Sequence, residues 1–144
     1  MNLFTDGEFK SAAGIKLPFK IDCDALSNDD LACLAKHTME SLVRHLYNIK
    51  DVIPVPRGGI RFANALRPYS NKLLNGYEGT LLVDDVWTTG VSMLRVAAQH
   101  GLLHTLGSRT EAVVIFARGS YPKWVHPIMT LHDKLQVSGA IWET

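Results

Sequence analysis

The stretch Leu81-Leu82-Val83-Asp84-Asp85-Val86-Trp87-Thr88-Thr89-Gly90-Val91-Ser92 constrains the fold more than any other part of the chain. Its apolar run with a β-branched residue, entered from Gly79, predicts an interior strand of a parallel sheet. The polar turn that follows then lies outside the carboxyl end of that strand, where open α/β sheets bind ligands. A helix is expected to open at about Gly90. Small hydroxyl residues and a glycine let backbone N–H groups of the turn converge on one anion, and the helix dipole favours negative charge there. Adjacent carboxylates cannot bind that anion. Asp84 and Asp85 suit a sugar diol or a hard divalent cation beside it.

A second element has the same form. Val52-Ile53-Pro54-Val55-Pro56-Arg57-Gly58-Gly59-Ile60 is a short apolar strand that ends in a glycine pair and opens a helix over residues 60–67. The glycines permit close backbone approach to an anion, and Arg57 adds a fixed charge whose forked donors match phosphate oxygens. Taken alone the segment also reads as a plain turn with a surface arginine.

The rest of the pattern is α/β. Ser27 is placed to cap a helix with Asp29 and Asp30 in its first turn, and Leu31, Leu34, Ala35, Met39, Leu42, Val43 and Leu46 recur at helical spacing as a core stripe. The helix from Gly90 is expected to stop near His100-Gly101, and residues 111–118 read as a third buried strand. Strand, helix, strand, helix, strand predicts a parallel sheet flanked by helices. Residues 4–24 mix glycine, lysine and aromatics without helical period and read as an arm of short strands and turns, while residues 120–144 read as one or two closing strands.

With 144 residues, 47% of them apolar, the chain is expected to form one domain with a sizeable core. Fifteen basic against fourteen acidic residues give a formal charge of +1, which supplies no general field for nucleic acid or a membrane surface. Cys23 and Cys33 form no ligand pattern, so reduced thiols in a cytoplasmic protein are expected, and no signal segment or membrane span is apparent. His126 and His132 stand apart from any carboxylate-rich metal spacing.

The 81–92 stretch resembles the phosphoribosyl pyrophosphate (PRPP) signature of type I phosphoribosyltransferases. That resemblance implies one α/β domain over residues 1–144, a parallel sheet flanked by helices, with an N-terminal arm or hood over about 1–26 and the core and closing tail over about 27–144. It implies that Val86, Trp87, Thr88, Thr89, Gly90, Val91 and Ser92 hold the 5′-phosphate, and that Asp84 and Asp85 hold the ribose hydroxyls and Mg²⁺. Pro56, Arg57, Gly58 and Gly59 would hold the pyrophosphate, in a loop that in this family often contains an unusual peptide bond. Partners would be PRPP and a nucleobase, in a homodimer.

The arm Gly7-Glu8-Phe9-Lys10-Ser11-Ala12-Ala13-Gly14, followed by Lys20-Ile21-Asp22, is similar to the opening of the orotate branch, with Ala13-Gly14 where that branch has Ser-Gly. By that analogy Lys20 faces an acidic pyrimidine; otherwise it is a surface lysine on an edge strand. Trp124 either stacks on the base or packs the tail onto the sheet.

One departure stands against these matches. Catalytic members carry a strand, a long mobile loop and a return strand before the PRPP strand, whereas Ser70 to Thr80 gives eleven residues. Such a loop excludes water and brings cations to the leaving group. Lys72 is the nearby candidate for that role, or a solvent-facing lysine of a short connection. Two readings follow: a minimal phosphoribosyltransferase, or a non-catalytic sensor that binds PRPP or a nucleotide.

Overall fold

The computed structural model describes residues 1–11, 13–42, 49–70 and 79–131. Its centre is a four-stranded sheet of β3 (Ile49–Pro54), β4 (Gly79–Trp87), β5 (Thr110–Arg118) and β6 (Val125–Leu131), in that order and parallel throughout. Helix α2 (Ile60–Leu66) links β3 to β4 and α3 (Val91–Gln99) links β4 to β5.

Alternation along β4 explains why its apolar run is unbroken. Leu81 and Val83 face one side, with Val113 and Ile115 of β5, and pack against Phe62, Ala63 and Leu66 of α2 and against α1. Leu82 points the other way, with Ala112 and Val114, and meets Met93, Val96 and Ala97 of α3. Each face thus buries side chains worth about 1.5–3 kcal/mol apiece when fully removed from water.

Helix α1 (Asn28–His37) starts as its sequence predicts. The Ser27 hydroxyl accepts from the Asp30 N–H at 3.0 Å, and the Asp30 carboxylate accepts from the Ser27 N–H at 2.8 Å. Leu31 and Ala35 are buried, and Leu34 and Met39 pack against them. Beyond His37 the helix widens into a π-type turn over Thr38–Leu42, where the Thr38 hydroxyl donates to the Leu34 carbonyl. The side chains of Leu42, Val43 and Leu46 lie outside the described set.

The arm is an antiparallel hairpin of β1 (Phe4–Lys10) and β2 (Lys16–Ile21). Phe4 meets Phe19 within the hairpin and Phe116 of β5 edge-on, at ring distances of 6.0 and 5.7 Å. These contacts seat the hairpin over the carboxyl ends of the strands. In the tail one strand, β6, is described, and residues 132–144, with His132, lie outside the described set.

Among the described residues, no helix is long and apolar enough to cross a membrane. Neither cysteine forms a disulfide; Cys23 is buried and Cys33 exposed.

Candidate functional site

Strand β4 runs on through its acidic pair and ends at Trp87. Asp84 pairs with Val114, Val86 with Phe116 and Trp87 with Ala117, so both carboxylates and the tryptophan belong to the sheet. The ladder to β5 continues because β5 is equally long, a tertiary partner that local composition does not reveal. Only residues 88–90 form the loop. Gly90, at φ +83°, turns the chain into α3 and makes no side-chain cap there, while the Val91 N–H makes a long bond of 3.5 Å to the Thr89 hydroxyl.

Asp84 is 9% exposed and Asp85 half-buried. The Asp84 carboxylate accepts from the Asp85 N–H at 2.8 Å, and the Asp85 carboxylate accepts from the Val86 N–H at 2.7 Å. Burial pushes the Asp84 carboxyl up to about 9, and the hydrogen-bonded, like-charged Asp85 carboxyl pushes it the same way. Two acids crowded in this way need a proton or a cation between them. Among the described residues no group of three or more His, Cys, Asp or Glu gathers. A carboxylate pair that leaves other positions to water and phosphate oxygens is the donor set that suits Mg²⁺, so the residues fit that ion.

The Arg57 loop meets this pair from the side. A cis peptide joins Pro56 to Arg57. The Val55 N–H donates to the Val83 carbonyl at 2.7 Å, and the Gly59 N–H donates to the Val55 carbonyl at 2.9 Å, which pins the loop to β4. A Cβ on Gly59 would stand 2.2 Å from the Val83 carbonyl oxygen, and one on Gly58 would stand 2.3 Å from Asp85 Oδ2. Both glycines are required by close approach rather than by unusual torsion. Behind the loop the Cys23 thiol is pushed up to about 12, first by burial and then by Asp85 and its neighbours, so it stays protonated.

An open cavity of about 370 Å³ joins these parts to the hairpin. All of residues 84–92 line it, which brings together Asp84, Asp85, Val86, Trp87, Thr88, Thr89, Gly90, Val91 and Ser92. Lys20 lines it as well, together with Lys10 and Arg118, while Phe9, Leu17 and Ile21 supply apolar wall. Pro56, Arg57, Gly58 and Gly59 lie beyond that lining, in touch with it through Asp85. Lys72 lies outside the described residues.

Trp124 is not among the lining residues. Its ring packs edge-on against Trp87 at 5.8 Å and joins the α3-side core, the tail-packing alternative for this residue. His126, placed near no acid by its sequence neighbours, has its Nε2 3.2 Å from Glu111 Oε2, a pairing made by the β5 and β6 ladder.

Sequence reasoning assigned no role to Arg118 or Lys10. Arg118 is 2% exposed, yet its guanidinium donates to the Phe19 carbonyl at 2.9 Å and stacks over the Phe19 ring at 4.1 Å. The signal was a charged residue closing a buried strand: such an arginine is rarely fully buried without a specific partner. Lys10 was legible only once the hairpin had been folded over the sheet.

No protein-family model matches the chain and no curated protein sequence matches it. Solved structures do. Orotate phosphoribosyltransferase from Aeropyrum pernix superposes with a TM-score of 0.65 at 21% identity, over 90% of this chain and 88% of that one. UMP synthase from Leishmania donovani gives 0.64 at 16% identity, over 90% of this chain but 34% of its own. Orotate phosphoribosyltransferase from Mycobacterium tuberculosis, solved with inorganic phosphate, gives 0.58 at 17% identity over 87% of this chain and 86% of its own. The fold is that of the type I phosphoribosyltransferases, in the form these orotate enzymes share.

Proposed function

We propose that this chain binds PRPP and transfers its phosphoribosyl group to an acidic, orotate-like pyrimidine with release of pyrophosphate. One observation carries the reading: a single cavity is lined together by the start of α3, two carboxylates, the cations Lys10, Lys20 and Arg118, and apolar side chains of the hairpin. Those groups suit a phosphate, a ribose with its metal and a base bearing negative charge. A volume of about 370 Å³ is at the lower end of small-molecule sites.

The chemistry divides among the chain's own groups. Backbone N–H groups of residues 88–91, with the hydroxyls of Thr88, Thr89 and Ser92, hold the 5′-phosphate. Asp84 and Asp85 orient the ribose hydroxyls and hold Mg²⁺, which when bound screens the charge that leaves with pyrophosphate. Arg57 and the N–H groups beside Gly58 and Gly59 take the pyrophosphate oxygens. A ring nitrogen of the base forms the new bond to C1 as the C1–O bond breaks, its electron pair departs with pyrophosphate, and the nitrogen's proton passes to water. Positioning and charge stabilisation drive such a reaction, so no nucleophilic side chain is required. The resemblance further carries a cytoplasmic homodimer into the proposal, which sedimentation velocity tests.

A second reading, a PRPP or nucleotide sensor, is favoured by the shortness of the connection between α2 and β4. Tyr69 closes the turn after α2 and Gly79 opens β4. Titration calorimetry of PRPP with and without Mg²⁺, beside a pyrophosphate-release assay with orotate, uracil and purine bases, separates the two. Binding with release for orotate supports the transferase; binding without release for any base supports the sensor; no binding refutes both.

A further inference from the structure

The six-membered ring of Trp87 lies directly beneath the phosphate loop. A Cβ built on Gly90 would stand 2.1 Å from Trp87 Cη2 and 2.5 Å from Cζ2, so the ring fills the space under the residue that opens α3. From its other edge the indole N–H donates to the Ser120 carbonyl at 3.0 Å. Ser120 follows Gly119, which bends at φ +77°, and Arg118, whose guanidinium holds the hairpin through the Phe19 carbonyl and ring. The indole is 2% exposed and backed by the edge of Trp124.

We infer that Trp87 is a positioning residue: its indole is a strut that holds the Thr88 to Gly90 loop in its anion-binding form and ties that loop to the turn carrying Arg118. A residue placed here only to fill the core would be served by any large apolar side chain. A rigid ring against one loop with a directed N–H to another instead fixes their separation, since χ angles of a packed indole have nowhere to go. Preorganised donors are what an anion site needs, because a loop that must first be ordered binds more weakly by the fraction of time it is ordered. The inference rests on the reading of residues 88–92 as the phosphate site.

Trp87→Phe keeps an aromatic ring but removes the N–H donor and shortens the reach under Gly90. Amide hydrogen exchange of the ligand-free variant is expected to rise at least about tenfold at residues 88–91 and 119–121. Its affinity for ribose 5-phosphate should fall about tenfold. Trp124→Phe, which breaks the same ring pair, should leave both within about twofold. Unchanged exchange at residues 88–91 in Trp87→Phe overturns the strut. If the wild-type protein binds no ribose 5-phosphate, the functional reading falls, while the exchange data still decide whether the strut exists. Should Trp87→Phe fail to fold, wild-type protein carrying 5-fluorotryptophan provides the test: the Trp87 fluorine resonance moves as ribose 5-phosphate binds, and a resonance that stays fixed while calorimetry shows binding overturns the inference.

Discussion

Gly58 and Asp85 stand so close that a methyl group on the glycine would sit 2.3 Å from the carboxylate oxygen. The loop that follows β3 is thereby packed against the acidic pair of β4, at the edge of the cavity lining. The acid supplies chemistry and the glycine supplies its room.

Substituting these neighbouring glycines should separate function from stability. In Gly58→Ala the obstruction is the end of a side chain, so Asp85 swings aside and the fold survives with a melting temperature within a few degrees of wild type. Mg²⁺-dependent PRPP binding then weakens at least about tenfold, the effect of misplacing a ligand by an ångström. In Gly59→Ala the obstructions are the Val83 and Val55 carbonyls, at 2.2 and 2.9 Å. Backbone in a sheet cannot yield, and a loss of about 3 kcal/mol or more is expected by chemical denaturation.

Asp84 sets a pH dependence for the metal-free protein. Its carboxyl titrates near 3.8 when unfolded and is raised to about 9 when folded. Between those values the native state holds a proton that the unfolded chain has released, so stability is full below about pH 4 and declines as pH rises toward 9. Melting in chelator from pH 5 to 9 should show that fall. Asp84→Asn should flatten it and stabilise the protein at pH 7.5 by about 2 kcal/mol, roughly 6 °C for a domain of this size. The same variant, alone or with Asp85→Asn, should lose Mg²⁺-dependent PRPP binding; a variant that binds as before would remove the carboxylates from the site.

Arg118→Met removes the buried cation from the base compartment and keeps most of its bulk. Orotate affinity should drop at least about tenfold, in line with loss of a charge-assisted contact, while ribose 5-phosphate affinity changes less than about threefold. Loss of the bond to the Phe19 carbonyl should also cost about 1–2 kcal/mol of stability. Equal losses for both ligands would argue against a divided cavity.

Ser27→Ala provides the control. The capping box at α1 is intact and none of its residues lines the cavity, so the variant should lose about 1 kcal/mol in urea and retain PRPP affinity.

Most of the scaffold could be read from local pattern. The Ser27 cap, the starts of α2 and α3, the buried strands and the hairpin all follow from short-range spacing and turn chemistry, and the structure has each of them. What could not be read depended on partners distant in sequence. Where β4 ends after Asp84 and Asp85 is not set by local pattern; β5 laid beside them extends the ladder to Trp87. Trp124 suits a base or a core by its sequence, and its ring meets Trp87 edge-on in the structure. Arg118 closes a strand with no role that its neighbours reveal until Phe19, ninety-nine positions away, takes its guanidinium. Lys72 and the late part of the α1 stripe lie outside the described residues.

The hairpin is made of β1 and β2, and its contacts with the sheet and core include Phe4 on Phe116, Phe19 on Arg118 and Ile21 on the α2-side core. The carboxylates and the anion loop, by contrast, are built into β4 and α3. On the proposed reading, choice of acceptor falls largely to the hairpin and handling of phosphate to β4 and α3. Inheritance can revise the first without disturbing the second, and a transplanted hairpin that preserves those two aromatic footholds would readdress the same phosphate machinery to another base.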